Sequence, residues 1–217
     1  MNLNKIYDLQ DKVLSNIFSF ENIFYLTGGT CLNRFYIEKR YSEDLDLFTN
    51  NNPRFGFAIK NIIKKLEESF TVQIEIEAKN FFRLKVENTL QVIFVNDIEY
   101  RVGEIVITKN KFLIDNVYNI LSNKLTAVIG RDNPKDIFDI YLIAKYFSFS
   151  WDEILNAAHK KEIFNDDDLI IRLKSFPKEL FININILDIT FLDNFDKDFL
   201  TLIDEIYYRK YHFKMDK

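Results

Sequence analysis

Near residue 113 the sequence changes period, and that change limits what the chain can fold into. Before it, two spacings are mixed. Ile6, Leu9, Val13, Leu14 and Ile17 recur at helical spacing, as do Phe57, Ile59, Ile62, Ile63 and Leu66. Between and after them lie short apolar runs, Ile23–Leu26 and Leu45–Phe48, with Cys31–Ile37 reading as a short helix. Val72, Ile74 and Ile76 alternate with Gln73, Glu75 and Glu77, the pattern of a half-buried strand. Phe82–Val86 and Leu90–Val95 continue the strands, and 103–108 is a further extended piece. Beyond 113 the segments 116–129, 134–147, 151–159, 167–174 and 195–208 all read as helices. The expected fold class is therefore α/β (α+β), with a mixed-sheet core over 1–112 and a helical domain over 113–217.

Charged residues make up 29% of the chain, and no apolar run approaches the roughly 20 residues that span a bilayer. Met1-Asn2-Leu3-Asn4-Lys5 leads into no continuous apolar stretch, so no signal peptide is expected and the cytoplasm is the expected compartment. One cysteine forms no internal disulfide, and the distant His159 and His212, expected at the surface, make no zinc site. A net charge of −4 argues against a general nucleic-acid binder, because phosphate neutralisation by Lys and Arg supplies that affinity. Any RNA surface must be local, with Lys109, Lys111, Lys160 and Lys161 as its candidates. The basic, aromatic tail Arg209–Lys214 reads as a frayed helix end.

The chemistry-bearing stretch is Gly28-Gly29-Thr30 followed, after residues 31–43, by Asp44-Leu45-Asp46. On a strand, residues i and i+2 share a face, so both carboxylates project together. Adjacent carboxylates are costly unless a cation neutralises them, and magnesium, or manganese, is a hard ion suited to oxygen ligands and substrate phosphates. A Gly-Gly turn ahead of a helix offers backbone N–H groups to a phosphate. Together these are the two parts that in-line phosphoryl or nucleotidyl transfer needs.

The stretch from Leu26 to Phe35 and from Arg40 to Phe48 resembles the AbiEii/AbiGii nucleotidyltransferase toxin family, whose members are polymerase-β-like transferases of bacterial toxin–antitoxin and abortive-infection systems. The resemblance continues at Lys124 within Leu121–Ala127 and at Arg131-Asp132-Asn133-Pro134-Lys135-Asp136 through Asp139 and Tyr141, so that its motifs run from about 23 to 147. It implies a polymerase-β-like nucleotidyltransferase core followed by a helical bundle. Gly28, Gly29 and Thr30 would hold the triphosphate of an NTP, and Asp44 and Asp46 the magnesium. Lys124 would meet the nucleotide phosphates. Asp136 or Asp139 would orient Lys124 or serve the incoming hydroxyl as a base, and Arg131 would contact phosphate. The implied acceptor is RNA, with the tRNA 3′ end foremost, and the implied partner a cognate antitoxin.

One departure stands out. The superfamily places a third carboxylate on a later strand, and here Ile93 falls where that acid is expected. Asp97 and Glu99 lie further on, and four residues is about 13 Å along a strand.

Several of these residues have plainer explanations. Asn133 as N-cap, Pro134 at the first helical position and Asp136 in the first turn make an ordinary helix start. Lys124 sits on an apolar helix from which it could snorkel. Cys31 is expected to be packed, and Asp166-Asp167-Asp168 to be a helix start. Two further functions stay open: nucleotidylation of a small molecule or a protein, and a degenerate, non-catalytic nucleotide-binding module.

Overall fold

The computed structural model describes residues 3–215. Met1 and Asn2, the start of the segment weighed as a signal peptide, lie outside the described residues. Among the described residues no helix is long and apolar enough to cross a membrane.

Short, alternating strands build one mixed sheet: β1 (Tyr25–Thr27), β2 (Leu45–Asn50), β3 (Val72–Ala78), β4 (Phe81–Val86), β5 (Leu90–Asp97), β6 (Val106–Ile107) and β7 (Leu113–Ile114). Their order is β3-β4-β5-β2-β1-β7-β6. β2 runs parallel to β5 and antiparallel to β1, while β1 and β7 are parallel. Period-two sequence becomes period-two burial: Leu45, Leu47 and Thr49 are buried, as are Val92 and Phe94, and Phe82, Leu84 and Val86. The buried face packs with α1 (Leu3–Phe18) and α3 (Phe55–Glu67). Phe24 anchors this core, its ring 5.1 Å from Phe94 and 6.0 Å from Phe55, which in turn meets Phe82 at 5.9 Å. Such aromatic pairs add about 0.5–1.5 kcal/mol each beyond their burial. The opposite face of β2 and β5 stays half-exposed and carries Asp46, with Asp44 immediately before β2.

This sheet unit comprises the chain through Cys31, Ser42–Glu99 and Glu104–Asn116. A second unit holds Leu32–Tyr41, Tyr100–Gly103 and the chain from Val117 on. Its helices are α4 (Val117–Gly130), α5 (Pro134–Tyr146), α6 (Trp151–Lys161), α7 (Asp166–Lys174) and α8 (Phe195–Tyr207). Two 3-10 turns, Lys178–Asn183 and Ile189–Leu192, link α7 to α8. α2 (Gly28–Phe35) gives its first turn to the sheet unit and its last to the helical one. The α5 start is built as its sequence dictates, with Asn133 accepting from Lys135 N and Pro134 opening the helix. α7 starts in the same way, capped by Asn165 with Asp166, Asp167 and Asp168 in its first turn.

Four local readings are corrected. The helix expected from Cys31 begins three residues earlier, at Gly28, so the glycine pair is its first turn rather than a turn ahead of it. The extended piece over 103–108 shortens to β6, paired with a β7 too brief to show a period. The tail is a strand, β9 (Tyr211–His212), paired with β8 (Phe149–Ser150), rather than a frayed helix end. His212 is accordingly fully buried, with Nδ1 2.6 Å from Glu205 Oε2 and Nε2 2.7 Å from the Ala144 carbonyl. Apart from these four, Lys161 braces α6 to α4 through Asn119 Oδ1, Ser122 Oγ and Asn123 Oδ1.

Candidate active site

In the sheet unit, the fully buried β1 delivers the chain to Gly28, whose φ of +69° lies in the left-handed region. A side chain there would cost about 1–2 kcal/mol in backbone strain alone. Glycine is needed for a second reason. Thr27 and Asp46 are partners across the β1–β2 ladder, and a Cβ on Gly28 would lie 2.5 Å from Asp46 Oδ2. The first turn of α2 is thus laid directly against the Asp46 carboxylate.

Three groups fix the approach to the Asp-x-Asp pair. The buried Thr30 hydroxyl lies 2.9 Å from Ser42 Oγ and hydrogen-bonds the Asp44 carbonyl. Gln10, fully buried on α1, donates its amide to Ser42 O at 3.1 Å and to Glu43 O at 2.9 Å. Ser42 N donates to the Tyr7 hydroxyl at 3.4 Å. The Thr30 side chain is therefore occupied in holding Asp44 in place, which leaves its backbone N–H as what it can offer a phosphate. Asp46, on β2, faces the half-exposed side opposite Leu45 and Leu47, and Asp44, half-exposed, lies just ahead of the strand.

Sequence reasoning passed over Asp115, which closes the other side of the turn. Its N–H donates to Leu26 O at 2.8 Å, and its carboxylate accepts from Thr27 Oγ1 at 2.7 Å and from Asn116 N at 3.0 Å. Cys31 is fully buried and its thiol donates to Asp115 O; burial, reinforced by the Asp115 charge, pushes its pKa well up and keeps it neutral. It is a packed residue.

Ile93 is the register partner of Asp46 across the parallel β2–β5 pair. Asp97 pairs with Asn50 at the far end of the same ladder, about 13 Å along the strand from Ile93. Among the described residues no cluster of three or more His, Cys, Asp or Glu side chains could hold a metal ion. The donor set is the pair Asp44 and Asp46. Two half-exposed carboxylates with glycine backbone beside one of them suit a hard divalent cation that fills its remaining positions with water and phosphate oxygens.

In the helical unit, Lys124, Asp136, Asp139 and Arg131 come together, joined by Arg40. Lys124 Nζ lies 2.8 Å from Asp136 Oδ1 and 2.7 Å from Asp139 Oδ2. Arg40, 1% exposed, forks onto Asp139 at 2.8 and 2.7 Å, and Asn33 Oδ1 accepts from the Arg40 backbone N–H. Arg131 forks onto Asp136 at 2.7 and 3.0 Å, its own side chain 58% exposed. Burial works to raise the Asp139 pKa, but Arg40 and Lys124 overcome it and hold the group at about 2. The same contest lowers Asp136, through Lys124 and Arg131. Burial would lower Lys124, yet Asp139 and Asp136 raise its pKa, so the ammonium stays charged. Both aspartates are ionised anchors of a protonated lysine. Arg40 opens the second stretch of the family resemblance, but its pairing with Asp139, far along the chain, carried no sequence signal.

The family model of the nucleotidyl transferase AbiEii toxin, type IV toxin–antitoxin system, matches residues 12–209. The chain belongs to the AbiEii nucleotidyltransferase toxin family. The match is wider than the motif span from about 23 to 147 and takes in most of the helical unit. No curated protein matches the sequence. Among solved structures, a candidate nucleotidyltransferase from H. pylori superposes with a TM-score of 0.63 at 19% identity, covering 98% of this chain and 99% of that one. JHP933 from Helicobacter pylori superposes at 0.61 and 18% identity, covering 96% and 94%. These likenesses establish the shared fold, and the expected polymerase-β-like architecture is borne out. As an AbiEii-family member the chain is a nucleotidyltransferase, and an NTP is its implied substrate.

Proposed function

We propose that this AbiEii-family enzyme transfers a nucleoside monophosphate from an NTP to an RNA hydroxyl, the tRNA 3′ end foremost, in a magnesium-dependent reaction, as the toxin of a toxin–antitoxin pair. The observation that carries the reading is that a Cβ on Gly28 would lie 2.5 Å from Asp46 Oδ2, so that the first turn of α2, the proposed phosphate cradle, runs close beside a carboxylate proposed to bind metal. The first-turn N–H groups of α2 at Gly28, Gly29 and Thr30 bind phosphate oxygens. Asp44 and Asp46 would hold magnesium, or manganese, which when bound screens the phosphates and polarises the reacting phosphorus. Lys124, kept protonated by Asp136 and Asp139, stabilises the charge that grows on the leaving pyrophosphate. Arg131 remains the candidate phosphate contact, with Asp136 as its anchor. A cognate antitoxin is the implied protein partner, and the cytoplasm the implied setting.

The test is a labelling assay with magnesium, each α-labelled NTP and either total RNA or a protein extract, alongside the Asp44→Asn/Asp46→Asn double variant. Label entering a tRNA-sized band, absent with the variant, is expected. Label only on small molecules or protein would replace the RNA reading. The net charge of −4 favours that alternative, because such acceptors need no basic surface.

A further inference from the structure

In the helical unit, the end of α4, the α4–α5 connection and the end of α7 enclose a cavity of about 390 Å³. Its lining combines three chemistries. Arg131 and Arg172 contribute guanidinium groups, Phe176 an aromatic ring, and Val128, Ile137 and Leu180 an apolar floor. The volume lies within the roughly 300–1,000 Å³ of small-ligand sites. Both cations are held in place. Arg131 is forked onto Asp136, and Arg172 donates Nε to the Val128 carbonyl and Nη2 to Asp132 Oδ1 at 3.1 Å. Among the described residues these bonds use two of the five N–H donors of Arg172. The Phe176 ring is steadied by Phe181, 5.1 Å away. A planar ring with an apolar bed and two pre-positioned guanidiniums matches a nucleobase joined to a phosphate: the ring stacks, and the phosphate takes forked, charge-assisted bonds. A purely apolar ligand would make no use of the guanidiniums, and a bare phosphate would leave the floor and ring unused.

We propose that this cavity binds one nucleoside monophosphate unit, either free nucleotide or the end nucleotide of the acceptor RNA. The assignment to the acceptor end rests on the RNA-transfer reading above; the cavity itself does not. Arg131 ties the cavity to the ion cluster of the helical unit, since its anchor Asp136 also holds Lys124. Asp132, 87% exposed and paired with Arg172, is the acidic group that an incoming phosphate displaces.

The experiment is calorimetric titration of the full chain in EDTA with AMP and, separately, with a 5′-phosphorylated RNA trinucleotide. EDTA silences the metal-dependent site at Asp44 and Asp46. Saturable binding is expected, weakened about 10-fold or more by Arg172→Ala. Because Arg172 also braces α4, Ser175→Trp provides a second block: it fills the cavity from its rim while leaving both arginines in place. Asp132→Asn should tighten binding, the opposite sign from the other two. Asp44→Asn/Asp46→Asn should leave it unchanged. Tighter binding of the trinucleotide than of AMP assigns the cavity to the acceptor end, and equal binding assigns it to free nucleotide. No saturable binding at millimolar ligand, binding that survives Ser175→Trp, or binding lost with the Asp44/Asp46 variant overturns the proposal. Binding with the expected variant pattern but no RNA labelling would leave the cavity standing and remove the RNA-transfer reading.

Discussion

Asp46 and Ile93 are register partners on the half-exposed face of the sheet, where a carboxylate at residue 93 would stand directly beside Asp46. Ile93 cannot ligate a cation or accept a proton. It also adds no third negative charge beside Asp44 and Asp46. With a cation held by Asp44 and Asp46, as proposed, the arrangement would trade metal-binding strength for a sheet face with fewer opposed charges, because like charges directly opposite on neighbouring strands repel.

Ile93→Asp should expose that trade. In EDTA the variant is expected to lose about 1 kcal/mol from cross-strand repulsion, lowering Tm by about 2–4 °C for a chain of this size. Magnesium or manganese should restore the loss and raise Tm by more than it does for the parent chain. Thermal melts with and without metal decide it. Equal metal response in both chains would mean that residue 93 does not face the cation.

Gly28→Ala tests the close approach that carries the functional reading. Strain at φ +69° and the 2.5 Å approach to Asp46 Oδ2 act together, so a loss of about 1–3 kcal/mol is expected. Nucleotide transfer should fall far more than stability, because relief of the clash moves either the phosphate turn or the carboxylate. Denaturant melts beside the labelling assay separate the two effects. Full activity in a destabilised variant would mean that the turn is scaffolding.

The parts of this molecule that can be read from sequence are those where function or fold follows a local period or a short motif. The half-exposed position of Asp46 follows from strand alternation at Leu45 and Leu47, and the α5 start from Asn133 and Pro134. Ile93 could be placed before any register was known, and the ladder puts it opposite Asp46. The pairings of Gln10, Arg40 and Asp115 were invisible because their partners lie far away in the chain: Gln10 reaches Ser42, Arg40 reaches Asp139, and Asp115 reaches Thr27. β8 and β9 are two residues each, too short for any period, so His212 was misread as exposed when its strand buries it.

Asp139 predicts an acid-side loss of stability. Its folded pKa of about 2 lies below the unfolded value, so its contribution is fully present above about pH 4 and is lost as pH falls toward 2. The contribution is roughly 2 kcal/mol from a shift of this size. Asp139→Asn should be less stable at pH 6 and should show a shallower decline between pH 4 and 2. Denaturant titrations at stepped pH measure it. An unchanged pH slope would show that the Arg40 fork does not hold the carboxylate ionised in solution.

Lys124→Met separates catalysis from scaffolding in the buried ion cluster. Removing the ammonium leaves each carboxylate one guanidinium, Arg131 for Asp136 and Arg40 for Asp139, so the helical unit should still fold. The lost buried pairing is expected to cost about 2–4 kcal/mol, less than a removal that strands an unpaired charge. Transfer should fall about 100-fold or more, the usual scale for deleting a group that stabilises developing charge. Lys124→Arg should recover stability better than activity, because a planar fork cannot place its charge where a single ammonium sat between Asp136 Oδ1 and Asp139 Oδ2. Single-turnover labelling on protein shown to be folded by its melting curve gives the answer. A Lys124→Met variant that melts early but labels at the parent rate would make the lysine a structural tie between α4 and α5, and the charge on pyrophosphate would have to be met elsewhere.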